Sequence, residues 1–188
     1  MESILIGLGL SSSSGFKPFI PLFIISLAGK LGFIELASHS AWIGSYTFMI
    51  VMVVLTILEF LSASVPFLGR AFDLVGIPIA IITGYIALAS MTGTLGDNNF
   101  LAKQGISLVL GGGLAAIVKS FNTVKNTLLD TITFGFSGPA SSGLDVVKSI
   151  ILSLLSMVAP ILVLIIVGIL LYITYITIKR FKRSRQLS

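Results

Sequence analysis

The sequence contains no cysteine and a single histidine, His39. The lack of cysteine excludes disulfides, thiolate nucleophiles and cysteine-based metal sites, and one histidine leaves no partner for a paired imidazole site. No base accompanies the serines in a pattern that would activate a nucleophile, and no paired acidic motif suits acid–base catalysis. We therefore expect no catalytic residue, no metal and no cofactor, and we predict that the protein is not an enzyme.

Charged residues are also scarce. They make up 10% of the chain, against 55% hydrophobic residues, and the mean hydropathy is +1.09. So few polar groups cannot solvate a globule, and 188 residues suit one domain. The composition predicts an integral membrane protein with a single transmembrane helical domain over residues 1–178 and a basic tail over 179–188.

The longest uncharged run, Ser149–Ile178, is followed at once by a cationic cluster. About 20 apolar residues cross the hydrocarbon layer, so this run is long enough to span it. Lys and Arg concentrate on the cytoplasmic side, which predicts a cytoplasmic C-terminus and places Thr131–Gly143 on the opposite side. A basic cluster beside a membrane favours anionic lipid headgroups over nucleic acid. The expected headgroup contacts are Lys179, Arg180, Lys182, Arg183 and Arg185.

The hydrophobic pattern predicts an all-α fold, a polytopic membrane helical bundle with about five segments. The first segment is too long for one straight crossing and contains a stretch rich in Ser, Gly and Pro, so we expect it to be broken near Ser11–Pro18, with non-helical backbone over Ser11–Lys17. Either a re-entrant segment or a kinked spanning helix fits this pattern. The predicted segments are Ser3–Ile34, Trp42–Ser62, Leu74–Thr92, Gly105–Leu129 and Val146–Ile178.

Among the ionisable residues within the apolar segments, three stand out: Lys17, Glu59 and Lys119. A charge near the bilayer centre costs roughly 2.5–3.5 kcal/mol on insertion scales, so such residues usually mark functional sites. Counting about 1.5 Å per residue from each inner end puts all three in the outer half of the membrane. Glu59 pairs with one of the lysines, or each side chain extends separately to the interface.

The fourth segment carries a polar face in which Lys119, Asn122, Thr123, Asn126 and Asp130 recur at helical spacing. Such a face lines a water-filled cavity or packs against other polar groups. We also expect the serine hydroxyls near the first break to cap a half-helix that, with Lys17, suits an anionic group. The predicted pocket residues are Ser11, Ser12, Ser13, Ser14, Lys17, Glu59, Lys119, Asn122 and Asn126.

Short motifs along the chain carry a family resemblance. They are Gly15-Phe16-Lys17-Pro18-Phe19, Leu58-Glu59-Phe60 with Pro66, Gly111-Gly112-Gly113, and a Ser/Gly/Pro segment before a long last helix. This arrangement resembles the small bacterial membrane proteins of the family catalogued as a domain of unknown function, DUF4126, over nearly the whole chain. The resemblance implies a helical membrane fold in a bacterial inner membrane, and it implies no activity.

Two functions fit these observations. The first is a small transporter or lipid-handling protein whose polar pocket accepts an anionic solute or a lipid headgroup from the outer side. The second is a structural or regulatory membrane subunit in which the same polar groups only join helices. Membrane lipids are the expected partners in both, a homo-oligomer fits either, and nucleic acid fits neither.

Overall fold

The computed structural model describes residues 2–62, 66–92, 100–132 and 138–185. These residues form helices and no strand, so the predicted all-α class is confirmed. A 3₁₀ helix, Ser38–Gly44, precedes α3, and a π-helical segment, Ser107–Gly112, joins α5 to α6. The α-helices are α1 (Glu2–Ser14), α2 (Phe19–Lys30), α3 (Tyr46–Ser62), α4 (Pro66–Ala89), α5 (Phe100–Ile106), α6 (Gly113–Ile132), α7 (Gly138–Val158) and α8 (Pro160–Arg185).

Helices α1 and α2 form a hairpin whose tip is Gly15–Pro18. About halfway along α1, a Cβ on Gly7 would lie 2.7 Å from Leu88 Cδ1, close to the end of α4. The chain that leaves α2 reaches the same place, because the Ala37 N–H donates to the Ser90 carbonyl at 2.9 Å. The middle of α1 and the chain that follows α2 therefore both meet the end of α4. The chain turns back at the tip instead of continuing as a kinked helix.

The break is real but shorter than the sequence predicts. Gly15 N–H donates to the Ser12 carbonyl at 3.1 Å, and Phe16 N–H donates to the Ser13 carbonyl at 3.1 Å, which closes α1 with a tight final turn. Pro18 has no N–H and restricts Lys17, so the helix cannot continue. The predicted break is confirmed at the tip, whereas the prediction of non-helical backbone from Ser11 is wrong.

The following helices alternate in direction. Lys30 Nζ at the end of α2 lies 3.2 Å from the ring centroid of Tyr46, where α3 starts, and Lys17 at the tip meets Glu59 near the end of α3. Helix α4 returns, and the run from α5 to α6 goes back towards the tip. We call the end of the bundle at which α3, α6 and α8 finish the basic end, because α8 finishes there with the cationic cluster 179–185.

Helix α8 folds back beside α7. A Cβ on Gly9 would lie 2.5 Å from Ser156 Oγ of α7 and 3.5 Å from Val163 Cγ1 of α8, so these two residues face one position on α1. One turn later, Val167 packs in a buried cluster with Phe16, near the tip, and with residues of α6 and α7. The chain turns at Ala159, and Pro160 starts α8 at a position where its missing N–H costs nothing.

This turn changes the predicted topology. The prediction of one segment over Val146–Ile178 is wrong, because the apolar run consists of two antiparallel helices. Helix α8 then finishes at the end where α6 finishes and α7 starts. The side of the membrane on which Thr131–Gly143 and the C-terminus lie stays a prediction. The predicted loop is also shorter, because α7 already begins at Gly138.

Two described helices, Phe100–Leu128 and Ser141–Val158, are long and apolar enough to cross a membrane. A third span results if the 3₁₀ helix and Tyr46–Leu61, which are bent by 62°, count as one. Apolar side chains also cover the outside of the bundle, including Ile50, Val54 and Ile165. The apolar helices indicate a membrane protein, whereas the predicted count of five segments is not confirmed.

Helices α1 and α4 and the π segment approach one another closely through small residues. A Cβ on Gly84 would lie 2.6 Å from the Gly111 carbonyl oxygen, and a Cβ on Gly111 would lie 3.1 Å from Ser11 Oγ. Any larger side chain would separate these backbones. The contact holds the hairpin against the centre of the bundle and so fixes the position of its charged tip.

Candidate functional site

The hairpin tip carries a buried ion pair. Lys17 Nζ lies 3.7 Å from Glu59 Oε1, and the two side chains are 10% and 5% exposed. The tip is anchored from α7 as well, since Ser149 Oγ lies 3.2 Å from the Lys17 carbonyl oxygen. The predicted pairing of Glu59 with a lysine is confirmed, and separate extension of these two side chains to the interface is wrong.

Lys119 belongs to the same charged region. It projects from α6 towards α4, where its Nζ would lie 3.5 Å from a Cβ on Gly76. Its charge acts on both Lys17 and Glu59. The structure thus brings together the three intramembrane charges that the sequence singled out. They lie towards the basic end, the end at which the C-terminal helix finishes, and their depth in the membrane stays a prediction.

A second polar group is centred on Asp145 of α7. Its Oδ2 accepts hydrogen bonds from Asn122 Nδ2 at 2.7 Å and Asn126 Nδ2 at 3.0 Å. Its Oδ1 lies 3.4 Å from Lys125 Nζ and 3.2 Å from Lys148 Nζ. Lys125 also donates to Asn122 Oδ1 at 2.7 Å. We call these five residues the Asp145 cluster.

The Asp145 cluster directs its carboxylate inwards and its cations outwards. The Asp145 side chain is 3% exposed, whereas those of Lys125 and Lys148 are 29% and 34% exposed. The buried carboxylate and the Asn122 amide fix the position of ammonium groups that remain accessible from outside. Together with the tip, four lysines surround two carboxylates, so the region has an excess of positive charge.

Sequence reasoning found part of this cluster. The polar face of α6 predicts Asn122 and Asn126 as pocket residues. Both donate hydrogen bonds to Asp145, so this face packs against another polar group, which is one of the two predicted arrangements. Asp145 itself was missed, together with Lys125 and Lys148. The available signal was the i, i+3 spacing of Asp145 and Lys148 at the start of an amphipathic helix. The side chain of Asp130 lies outside the described residues.

The four serines do not form the predicted cap. They end α1 instead of starting a half-helix, and their hydroxyls lie near carbonyls of the same helix, such as Ser11 Oγ at 2.7 Å from Gly7 O and Ser14 Oγ at 3.1 Å from Leu10 O. Ser12 and Ser13 do the same, at 2.9 Å from Leu8 O and 2.7 Å from Leu10 O. The prediction of hydroxyls at a helix N-terminus is wrong.

Two of these serines also join helices. Ser11 Oγ lies 2.8 Å from the Gly84 carbonyl oxygen of α4, and Ser13 Oγ lies 2.8 Å from Ser153 Oγ of α7. All four serines at the end of α1 are fully buried. Because their hydroxyls are used in helix packing, they leave no donor for an anion, and the candidate site is the charged region beyond them.

The predicted headgroup contacts lie at the end of α8. Helical backbone continues to Arg185, and the Lys179 side chain is exposed. The side chains of Arg180, Lys182, Arg183 and Arg185 lie outside the described residues. Contact of these five cations with headgroups stays a prediction.

No metal site comes together in the described ranges, where no group of three or more His, Cys, Asp or Glu side chains lies close enough to hold an ion. The groups that the structure does bring together are ammonium, carboxylate and amide groups. Such groups can bind and orient a charged ligand through hydrogen bonds and Coulomb attraction.

One of three comparisons with known proteins found a match. The family model described as "Domain of unknown function (DUF4126)" matches residues 4–180. Neither the comparison with curated proteins nor that with solved structures found a match. The family match covers α1 to α7 and most of α8, including both polar groups. The chain belongs to the DUF4126 family.

Proposed function

We propose that this protein is a non-catalytic, lipid-handling membrane protein whose Asp145 cluster holds the anionic headgroup of a phospholipid. The observation that carries the proposal is the position of Lys125 and Lys148. Both ammonium groups are held on one buried carboxylate, yet both remain about one-third exposed. Two fixed cations on neighbouring helices suit a phosphate, whose oxygens accept hydrogen bonds from both.

The surroundings of the two lysines favour a lipid over a free anion. Leu144, Val147 and Ile151 recur on the exposed face of α7 beside Lys148, and Val124 is exposed beside Lys125. A water-filled approach would leave these apolar side chains in water, whereas acyl chains cover them at no cost. A phospholipid satisfies both parts of this surface, because its phosphate meets the lysines and its chains meet the apolar residues.

The distribution of cations supports headgroups of the cytoplasmic leaflet. All 12 Lys and Arg residues except Lys30 and Lys103 lie towards the basic end. Because Lys and Arg concentrate on the cytoplasmic side, this bias orients the basic end inwards. The cytoplasmic leaflet carries anionic lipids that attract such clusters, at about 1 kcal/mol per cation near the surface.

A structural or regulatory subunit is the second candidate. It is favoured by the hydrogen bonds of Asp145, which join α6 to α7 without any ligand. In that case Lys125 and Lys148 only offset the buried carboxylate. The two candidates differ in one measurable property, which is the binding of an anionic lipid that depends on these two lysines.

Native mass spectrometry of the purified protein tests the proposal. We expect phosphatidylglycerol to bind at least tenfold more tightly than zwitterionic phosphatidylcholine, and the variant Lys125→Gln/Lys148→Gln to lose this preference. Lys103→Gln is the matched control, because it removes a cation of α5 at the other end of the bundle. Equal binding of both lipids by the wild-type protein would contradict the proposal and favour the structural subunit.

A further inference from the structure

Two polar atoms, one in the Asp145 cluster and one next to it on α7, have no hydrogen-bond partner among the described residues. They are Asn126 Oδ1 and Ser142 Oγ, and both atoms are buried. The Ser142 residue is only 7% exposed. A buried polar group without a partner costs roughly 1–3 kcal/mol, so native proteins seldom retain one without a reason.

The two atoms lie at the same level of the bundle. Asn126 is held from α6 by its hydrogen bond to Asp145, and Ser142 precedes Asp145 by three residues on α7, which puts both α7 residues on one face. Because α6 and α7 run antiparallel, the turn of α6 that holds Asn126 faces the turn of α7 that holds Ser142. Both unpartnered atoms therefore belong to residues on the side of Asp145 nearer the basic end.

The hydrogen bond of Asn126 determines what can satisfy its oxygen. Its Nδ2 donates to the Asp145 carboxylate at 3.0 Å, and a carboxylate accepts only, so the amide cannot be reversed without losing this bond. Oδ1 is thus an acceptor and requires a donor from outside. The Ser142 hydroxyl can donate or accept, so a neutral hydroxyl group on a ligand has the chemistry to satisfy either atom.

The charges around the site favour a neutral donor group on the ligand. Lys125 and Lys148 stand within 3.4 Å of Asp145, and an ammonium group on the ligand would meet their repulsion. From these contacts we infer that the site is selective for a phosphate ester that carries a free hydroxyl, as a glycerol phosphate headgroup does, over headgroups that end in an ammonium or an alkyl group. This inference rests on the proposed function and specifies its ligand.

Binding of two lipids of equal charge tests the hydroxyl selectivity independently of the proposed function. Phosphatidylglycerol and phosphatidylmethanol are both singly charged phosphodiesters, and only the first has headgroup hydroxyls. In native mass spectrometry we expect the wild-type protein to prefer phosphatidylglycerol by about fivefold or more, the effect of one or two neutral hydrogen bonds. Equal binding of these two lipids, with both above phosphatidylcholine, overturns the hydroxyl selectivity and leaves the proposed function standing. No preference for either over phosphatidylcholine overturns the proposed function.

A pair of serine variants locates the selectivity. Ser142→Ala should reduce the preference for phosphatidylglycerol to about twofold or less without unfolding the protein, because its hydroxyl has no protein partner to lose. Ser107→Ala is the matched control, since Ser107 in the π segment is also a buried serine whose hydroxyl has no partner among the described residues. An unchanged preference in Ser142→Ala, or an equal loss in both variants, contradicts the assignment.

Competition by soluble phosphate esters shows whether the ligand is a lipid headgroup or a soluble molecule. Glycerol 3-phosphate and methyl phosphate are soluble phosphate monoesters without acyl chains, and only the first carries hydroxyl groups. If the natural ligand is a lipid, neither should displace phosphatidylglycerol at concentrations a hundredfold above that of the lipid. Displacement by glycerol 3-phosphate, and not by methyl phosphate, would retain the hydroxyl selectivity and assign a soluble ligand, which contradicts the lipid source.

Discussion

Lys17 Nζ lies 3.7 Å from Glu59 Oε1, at the point where the tip of the α1–α2 hairpin meets the end of α3. The two residues come from elements that are far apart in sequence, and each is nearly buried. Their pairing therefore ties the hairpin to the rest of the bundle, and it provides a direct test of the packing at the tip.

A double-mutant cycle should show coupling between these two charges. Glu59→Gln leaves a buried ammonium without its carboxylate, and we expect a loss of about 3 kcal/mol in the free energy of unfolding. Lys17→Met should also destabilise the protein, and the double variant should recover part of the loss. Thermal unfolding in detergent measures all three.

Lys119→Met serves as the comparison in this cycle, because the charge of Lys119 also acts on Lys17 and Glu59. We expect its coupling to Glu59 to be smaller than that of Lys17. Strict additivity of Lys17→Met and Glu59→Gln would mean that the ion pair contributes nothing to stability.

The buried carboxylate of the second cluster should matter for stability as well. Asp145→Asn keeps the shape of the side chain but removes the charge that holds Lys125 and Lys148, and an amide cannot accept all four hydrogen bonds. We expect a loss of about 2 kcal/mol in the free energy of unfolding. Glu35→Gln, in an exposed loop, is the control and should leave the melting temperature unchanged. Equal melting temperatures for both variants would contradict the role of Asp145.

The close approach of α4 to the π segment predicts a contrast between glycines. Gly84→Ala would place a Cβ 2.6 Å from the Gly111 carbonyl oxygen, so we expect a loss of about 1–3 kcal/mol. Gly113 is the first residue of α6, and nothing lies within 4 Å of a Cβ built there. Gly113→Ala should therefore leave the free energy of unfolding unchanged or raise it by about 0.5–1 kcal/mol. Unfolding of the two variants under one condition gives the comparison. A tolerated Gly84→Ala would contradict the packing described here.

The membrane orientation can be measured by cysteine labelling, because the chain has no cysteine of its own. We expect Glu35→Cys to react with an impermeant maleimide in intact cells, whereas Ser184→Cys in α8 and Gly138→Cys at the start of α7 should react only after permeabilisation. The reason is that the latter two lie at the basic end. Labelling of Ser184→Cys and Gly138→Cys from opposite sides would contradict the antiparallel arrangement of α7 and α8.

The charges that sequence reasoning located best are those isolated in apolar surroundings. Lys17 and Glu59 stand out because burial of either alone is costly. This cost made a pair between Glu59 and a lysine one of the two predicted arrangements. Asp145 did not stand out, because it follows a Ser/Gly/Pro-rich stretch that is typical of loops. Its burial depends on α6 packing against α7, and that packing cannot be read from local sequence.

For a related reason, the direction of the last helix could not be predicted from the sequence. Pro78 lies inside α4 without ending it, whereas Pro160 starts a new helix that turns back on α7. The same residue type in two apolar runs gives two results, because packing partners such as Phe16 for Val167 determine the path. Uniform apolar runs carry no signal for such a choice.

The central claim, that the Asp145 cluster binds a phospholipid phosphate, is tested most directly by a crystal structure grown in a lipidic mesophase that contains phosphatidylglycerol. We predict phosphate density within about 3 Å of both Lys125 Nζ and Lys148 Nζ, the distance of a charge-assisted hydrogen bond. Ordered headgroup density elsewhere on the bundle, with acyl chains or only water beside these two ammonium groups, would contradict the account.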